Sequence, residues 1–265
     1  VDLGDLDGDG DLDAWVANDN QPDRLWINQG GAQGGTPGIY TDSVQDLGST
    51  GSFDVTLGDI DDDGDLDAWV ANAYSQPNRV WVNQGGNQGG TIGTFLDSAQ
   101  TLGNNSSLGV DLGDLDGDGD LDAWVANFNN QANRVWINQG GDQGGSPGSY
   151  SESLQAMGNS DTTYVELGDL DNDGDLDAWA ANINGSPNRI WINDGLGNFV
   201  DSSQVLGGPI SSRGVALGDL DGDGDLDAWI ANGANEPNQV FINLGGAQGG
   251  TTGVYADTPQ ALGIS

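Results

Sequence analysis

The chain has 265 residues, 35% of them hydrophobic and 46 of them Gly, and its 42 Asp and Glu stand against five Lys and Arg for a formal charge of −37. That charge excludes nucleic acid and anionic membrane surfaces as partners. The absence of Cys and His excludes disulfides and soft-metal sites, and no apolar run is long enough for membrane insertion.

Low hydrophobicity with high charge is the composition of a disordered chain. Nine Trp and regularly spaced apolar segments argue for a folded one, provided that something offsets the acid. Abundant Gly and scarce Lys and Glu favour strands and turns over helices.

In chain order, Val1-Asp2-Leu3-Gly4 reads as a strand that runs into an acidic loop, Asp5 to Asp13. Asp occupies loop positions 1, 3, 5, 7 and 9 (Asp5, Asp7, Asp9, Asp11, Asp13), and Gly10 occupies position 6. The same set returns as Asp59, Asp61, Asp63, Asp65, Asp67 and as Asp114, Asp116, Asp118, Asp120, Asp122. It returns again as Asp169, Asp171, Asp173, Asp175, Asp177 and as Asp219, Asp221, Asp223, Asp225, Asp227. Carboxylates ~5 Å apart repel by ~3 kcal/mol per pair at an effective dielectric near 20, so such a loop needs a hard dication. Side chains at positions 1, 3 and 5 point to one centre, position 7 adds its backbone carbonyl, and position 9 closes a shell of the six to eight oxygens that Ca²⁺ takes. One Ca²⁺ per repeat, about five in all, is the expectation. Mg²⁺ suits such a loop less, because it holds its waters and demands octahedral geometry. An EF-hand would need Glu at position 12, where Val16, Val70, Val125, Ala180 and Ile230 stand.

After the loop, Leu12, Ala14 and Val16 alternate with Asp13, Trp15 and Ala17, which is a strand period. The loop therefore joins two strands. In the second copy the elements are a first strand Phe53–Leu57, the loop, a second strand Leu66–Asn72, a turn at Gln76-Pro77-Asn78 and a third strand Arg79–Asn83. A glycine-rich loop, Gln84–Gly93, then leads to a fourth short strand in Thr94–Ser98. Loop starts lie 54, 55, 55 and 50 residues apart, a spacing shared by propeller blades and solenoid units. The short interval arises where Asn193-Asp194-Gly195-Leu196-Gly197-Asn198-Phe199 replaces the longer glycine-rich loop. The repeats run 1–48, 49–103, 104–158, 159–207 and 208–265 in a single repeat domain. The chain begins inside a repeat, at a point matching Val55, which implies a processed chain or a slice of a longer one.

The run from Gly113 to Asn127, the Pro77-Asn78-Arg79-Val80-Trp81 segment and the Asn193–Phe199 segment resemble the FG-GAP/VCBS repeat of integrin α-subunit propellers and bacterial surface proteins. The resemblance implies an all-β fold, a β-propeller of five four-stranded blades with a Ca²⁺-binding loop between the first and second strands of each. The family commonly closes seven blades, so a slice of a larger propeller and an open repeat array are alternatives. The glycine-rich loop is also longer than usual in four copies.

Other recurring residues have structural readings. Trp15, Trp69, Trp124, Trp179 and Trp229, with Trp26, Trp81, Trp136, Trp191 and Phe241, pack between blades rather than forming a carbohydrate-stacking ring. Arg24, Arg79, Arg134 and Arg189, with Gln239 in the fifth copy, pair with acids or carbonyls of their own or the next blade. The glycine-rich loops lack the Lys and the strand-to-helix setting of a phosphate cradle and read as exposed turns. Asn104, Asn105 and Asn184 lie in glycosylation sequons. Three non-repeating Glu and no His, Cys or Lys leave no acid–base set. The expectation is a non-enzymatic extracellular module that acts in adhesion or as a fibre subunit, with a protein or glycan ligand or self-association. The alternative is the propeller domain of a secreted polysaccharide-active lyase or hydrolase.

Overall fold

The computed structural model describes residues 1–48, 51–233, 235–258 and 262–263. The expected starts of the second repeat and end of the fifth lie outside these residues. Among the described residues twenty strands form five four-stranded sheets, each taking its strands in sequence order. The blades are Asp2–Gly4, Asp13–Val16, Arg24–Asn28 and Tyr40–Asp42; then Ser52–Gly58, Asp67–Asn72, Arg79–Asn83 and Phe95–Asp97. The third comprises Ser107–Gly113, Asp122–Asn127, Arg134–Asn138 and Tyr150–Glu152. The fourth comprises Thr162–Gly168, Asp177–Asn182, Arg189–Asn193 and Phe199–Asp201; the fifth, Ser212–Gly218, Asp227–Asn232, Gln239–Asn243 and Tyr255–Asp257. This is the blade order of a β-propeller, and the strands fall within a residue or two of the expected ones.

Two compact units are present. The first contains Val1–Leu112, Asp118–Leu121 and Asn138–Ser151; the second contains Gly113–Gly117, Asp122–Ile137 and Glu152–Ser265. In the first unit, antiparallel pairing of Thr56 with Trp69, Leu57 with Ala68 and Gly58 with Asp67 ends at the acidic loop. The second strand of this blade is buried at every position. Its Ala-Trp-Val-Ala run therefore behaves as a strand packed on both faces, a consequence of neighbours on either side that alternation alone does not show. Leu6, Trp15, Leu25 and Leu47 of the first blade pack on Val55, Ala68, Val70, Trp81 and Phe95 of the second. The Trp15 ring meets Trp81 at 6.4 Å and the Phe95 edge at 5.0 Å.

The second unit repeats this packing. Trp124 lies in one core with Val165, Ala178, Ala180, Trp191 and Phe199. Trp179 lies in the next with Val215, Ala228, Ile230, Phe241 and Tyr255. The inter-blade reading of the Trp residues holds for Trp15, Trp69, Trp124 and Trp179, which are fully buried. Trp229 differs, being 42% exposed, as does Trp26 of the third-strand set at 36%, whereas Trp15, Trp69, Trp124 and Trp179 are covered by strands of the following repeat. Trp179→Ala is expected to cost about 3–5 kcal/mol in urea unfolding, and Trp229→Ala less than about 1 kcal/mol. Equal costs would contradict blade-on-blade burial as the source of stability.

Gln side chains clip successive blades together. Gln45 donates through Nε2 to the Gly93 carbonyl (2.8 Å) and accepts from the Phe95 N–H (2.9 Å). Gln100 does the same with Gly148 and Tyr150, Gln155 with Gly197 and Phe199, and Gln204 with Gly253 and Tyr255. The Arg residues stay within their own blades, facing Asp42, Asp97, Glu152 and Asp201 at 3.1–3.8 Å. In the fifth blade Gln239 donates to Asp257 instead (2.8 Å).

Candidate metal centre

Each acidic loop turns sharply at position 6, where Gly10, Gly64, Gly119, Gly174 and Gly224 hold φ between +94° and +99°. Only Gly takes this region without a Cβ clash. The position-1 carboxylate fastens the turn: Asp5 accepts from the N–H groups of Asp9 and Gly10, both at 3.0 Å, and Asp59 does so from Asp63 and Gly64.

The position-9 carboxylate is fully buried in every copy. Asp13 accepts from the N–H of Leu6 (2.9 Å) and of Asn28 (2.8 Å), and Asp67, Asp177 and Asp227 accept from the equivalent pairs. Each carboxylate keeps acceptor capacity beyond these bonds.

The structure brings positions 1, 3 and 9 together. In each of the five triads, Asp5–Asp7–Asp13, Asp59–Asp61–Asp67, Asp114–Asp116–Asp122, Asp169–Asp171–Asp177 and Asp219–Asp221–Asp227, one oxygen per residue lies within 4.8 Å of the others. Oδ1 of Asp7, of Asp61 and of Asp171 is buried without a hydrogen-bond partner. An orphaned buried carboxylate oxygen beside two more carboxylates fits a bound dication, because otherwise its desolvation goes uncompensated. Burial raises the carboxyl pKa values accordingly: Asp67 is pushed up to about 8, Asp177 to about 7, and Asp7 and Asp61 to about 6, with neighbouring carboxylates adding to the rise.

Positions 5 and 7 sit against the glycine-rich loop. Oδ1 of Asp9 accepts from the Asp11 N–H (3.1 Å) and Oδ2 from the Ala32 N–H (3.0 Å); Asp63 does likewise with Asp65 and Asn87. Both oxygens of Asp11 and of Asp65 are buried without partners. They lie against Gly30 and Gly85, where a Cβ would overlap the carboxylate, and Asp120, Asp175 and Asp225 lie in the same way against Gly140, Gly195 and Gly245. The glycine-rich loops are exposed at their tips, as expected, but their first glycines are a lid over the acidic loop. Each long loop contains a short 3-10 turn, Gly31–Gln33 in the first copy, which aims Gln33 at Oδ2 of Asp7; Gln88 and Gln248 face Asp61 and Asp221 in the same manner.

Sequence reasoning missed a second set, Asn83, Asn138, Asn193 and Asn243 at the ends of the third strands. Asn83 donates through Nδ2 to the Leu6 carbonyl in the preceding acidic loop (3.0 Å) and to Leu66 in its own (3.2 Å). Asn138 reaches Ile60 and Leu121, Asn193 reaches Leu115 and Leu176, and Asn243 reaches Leu170 and Leu226. Recurrence of Asn at that strand end was the available signal.

The structure resembles that of an Agrocybe aegerita lectin described as recognising non-reducing terminal N-acetylglucosamine, with a TM-score of 0.59 and 19% identity over 97% of this chain and 64% of that one. It also resembles BBS1N, solved in complex with ARL6DN, with a TM-score of 0.54 and 12% identity over 97% of this chain and 66% of the other. The chain thus spans just under two thirds of the length of each, and at these identities the likeness shows the fold alone. No curated protein matches it in sequence. The profile of the FG-GAP-like repeat matches four times in overlapping register, at residues 5–70, 59–125, 114–180 and 169–230. With the acidic loops, the four-stranded blades and this match in agreement, the chain belongs to the FG-GAP-like repeat family.

Proposed function

We propose that this chain is a non-enzymatic, extracellular β-propeller module that binds one Ca²⁺ per repeat and acts in adhesion or other recognition. The observation that carries the reading is the convergence of three carboxylates at loop positions 1, 3 and 9 in all five repeats. Position 5 and the backbone carbonyl of position 7 complete the shell when the ion binds, and oxygen-only ligands favour Ca²⁺ over softer metals. Among the described residues no helix is long and apolar enough to cross a membrane. The test is calcium binding by calorimetry and equilibrium dialysis, with five ions expected at Kd of about 10⁻⁴ M, the range of extracellular modules. A Kd in the submicromolar range would overturn the extracellular reading. Turnover of a polysaccharide panel, lost on mutation of an acid outside the loops with calcium retained, would overturn the non-enzymatic one.

Calcium uptake is expected to release protons. In the metal-free fold the raised values of Asp67 (about 8) and Asp177 (about 7) lie above the unfolded carboxyl value of 3.8. Their protonated forms therefore contribute stability that is fully present below about pH 4 and is lost as pH rises through about 7–8. Calcium needs the ionised forms, so affinity at the second-blade site should fall about tenfold per pH unit below 8. Calorimetry at pH 8, 7 and 6 in buffers of different ionisation enthalpy measures this, and a pH-independent Kd would contradict it.

A further inference from the structure

Away from the acidic loops, the turn between the second and third strands helps to enclose a polar cleft between neighbouring blades. Two such clefts share an Asn, an Arg, a Trp and an Asp, while Asp23 of the first is replaced by Asn133 in the second. One, of about 170 Å³, lies between the first and second blades and is lined by Ser52, Asn72, Arg79, Trp81 and Asp97, with Leu47 of the preceding blade. The other, of about 180 Å³, lies between the third and fourth and is lined by Thr162, Asn182, Arg189, Trp191 and Asp201, with Met157. We propose that each cleft binds a single neutral sugar ring, a proposal that rests on the recognition-module reading and names its ligand class.

The size admits one ring and no more, since pockets for drug-sized ligands begin near 300 Å³. The floor is a fixed polar array. Asn133 donates to the Thr162 hydroxyl (3.0 Å), which donates to Asn182 (2.7 Å); in the first cleft Ser52 donates to Asn72 (2.9 Å). Above it, the Arg79–Asp97 and Arg189–Asp201 pairs stand 3.6 and 3.8 Å apart, beyond good hydrogen-bond range. Nη1 of Arg79 and of Arg189 donates to the Gln100 and Gln204 carbonyls (both 3.2 Å), and Oδ1 of Asp97 and of Asp201 accepts from the N–H two residues on. This leaves the rest of each guanidinium fork and each Oδ2 for vicinal hydroxyls. Trp191 adds an aromatic edge to the cleft. It is 8% exposed and otherwise packed in the core with Trp124, so only its edge meets a bound ring. Each cation is already neutralised by its acid in a chain of charge −37, which disfavours an anionic ligand. The fifth blade supplies an internal contrast, because Gln239 and Phe241 stand where these clefts have Arg and Trp.

The test is ligand-observed NMR and Trp fluorescence titration of the calcium-loaded chain with methyl glycosides of glucose, galactose, mannose and N-acetylglucosamine. Saturable binding with Kd of about 1 mM is expected for at least one of them. The double variant R79Q/R189Q and the variant W191F carry residues that the fifth blade already has at those positions, and each should weaken binding about tenfold or more at the altered cleft. Calcium stoichiometry is read on the same samples. Five ions retained with no sugar response at 50-fold higher ligand, or with a response unchanged in the variants, overturns this inference and leaves the metal reading intact; loss of the ions overturns the metal reading instead.

Discussion

Chelation is expected to lower the melting temperature of this protein by about 15–25 °C relative to 1 mM Ca²⁺ at pH 7.5. The figure follows from site affinity. At a Kd of about 10⁻⁴ M, each site adds RT ln(1 + [Ca²⁺]/Kd), or about 1.4 kcal/mol, and five add about 7 kcal/mol. That is comparable with the whole stability of an ordinary domain, and near 2–4 °C per kcal/mol for a chain of this size it gives the stated shift. The structural cause is local. Without an ion, the orphaned oxygens of Asp7, Asp61 and Asp171 face other carboxylates in buried surroundings, and the loop that joins the first two strands of each blade is held against its own repulsion. Differential scanning calorimetry with EGTA against calcium checks this, and Mg²⁺ at the same concentration should recover only part of the shift. A melting temperature indifferent to chelation would remove the ions from the account of stability.

The second large effect is expected from Asn83→Ala, at about 3–5 kcal/mol of destabilisation. Asn83 is fully buried, and its side chain serves the Leu6 and Leu66 carbonyls and the Gly93 N–H. Truncation takes this partner from one buried and two part-buried backbone groups, each costing up to about 1–3 kcal/mol. The consequence reaches two acidic loops at once, because Leu6 lies between Asp5 and Asp7, and Leu66 lies beside Asp67. Calcium titration of this variant should therefore show two weakened sites, where Asp61→Ala weakens one. Urea unfolding within about 0.5 kcal/mol of the parent chain would show that the Asn bridge is dispensable.

These two predictions differ in how far the sequence alone leads to them. The acidic loops are visible in the spacing of Asp5 to Asp13 because the chemistry is local: five carboxylates and one Gly within a single turn need no knowledge of the fold. The same holds for the strands, whose apolar periods and Pro-Asn and Gly-rich boundaries mark Arg79–Asn83 and its equivalents to the residue. The Arg pairing was also legible, since a cation among so many acids finds one nearby, and Arg24 finds Asp42 on the adjacent strand. The division of labour among the carboxylates was not. Positions 5 and 7 are drawn to the glycine-rich loop by Gly30, Gly31 and the Ala32 N–H, and that loop arrives from beyond the third strand.

The sequence by itself determined the repeat, the blade and the place of each acidic loop, because these depend on neighbours within one turn or one strand. Tertiary structure decided which three of the five carboxylates converge, which Trp residues are buried and which two, Trp26 and Trp229, are left exposed, and where the polar clefts between blades open. It also decided the roles of Gln45 and Asn83, whose partners lie 48 and 77 residues away. A contact about a repeat or more away appears in the sequence only as a residue that recurs. Recurrence shows that a position matters in every blade, and the packing of one blade on the next shows what it touches.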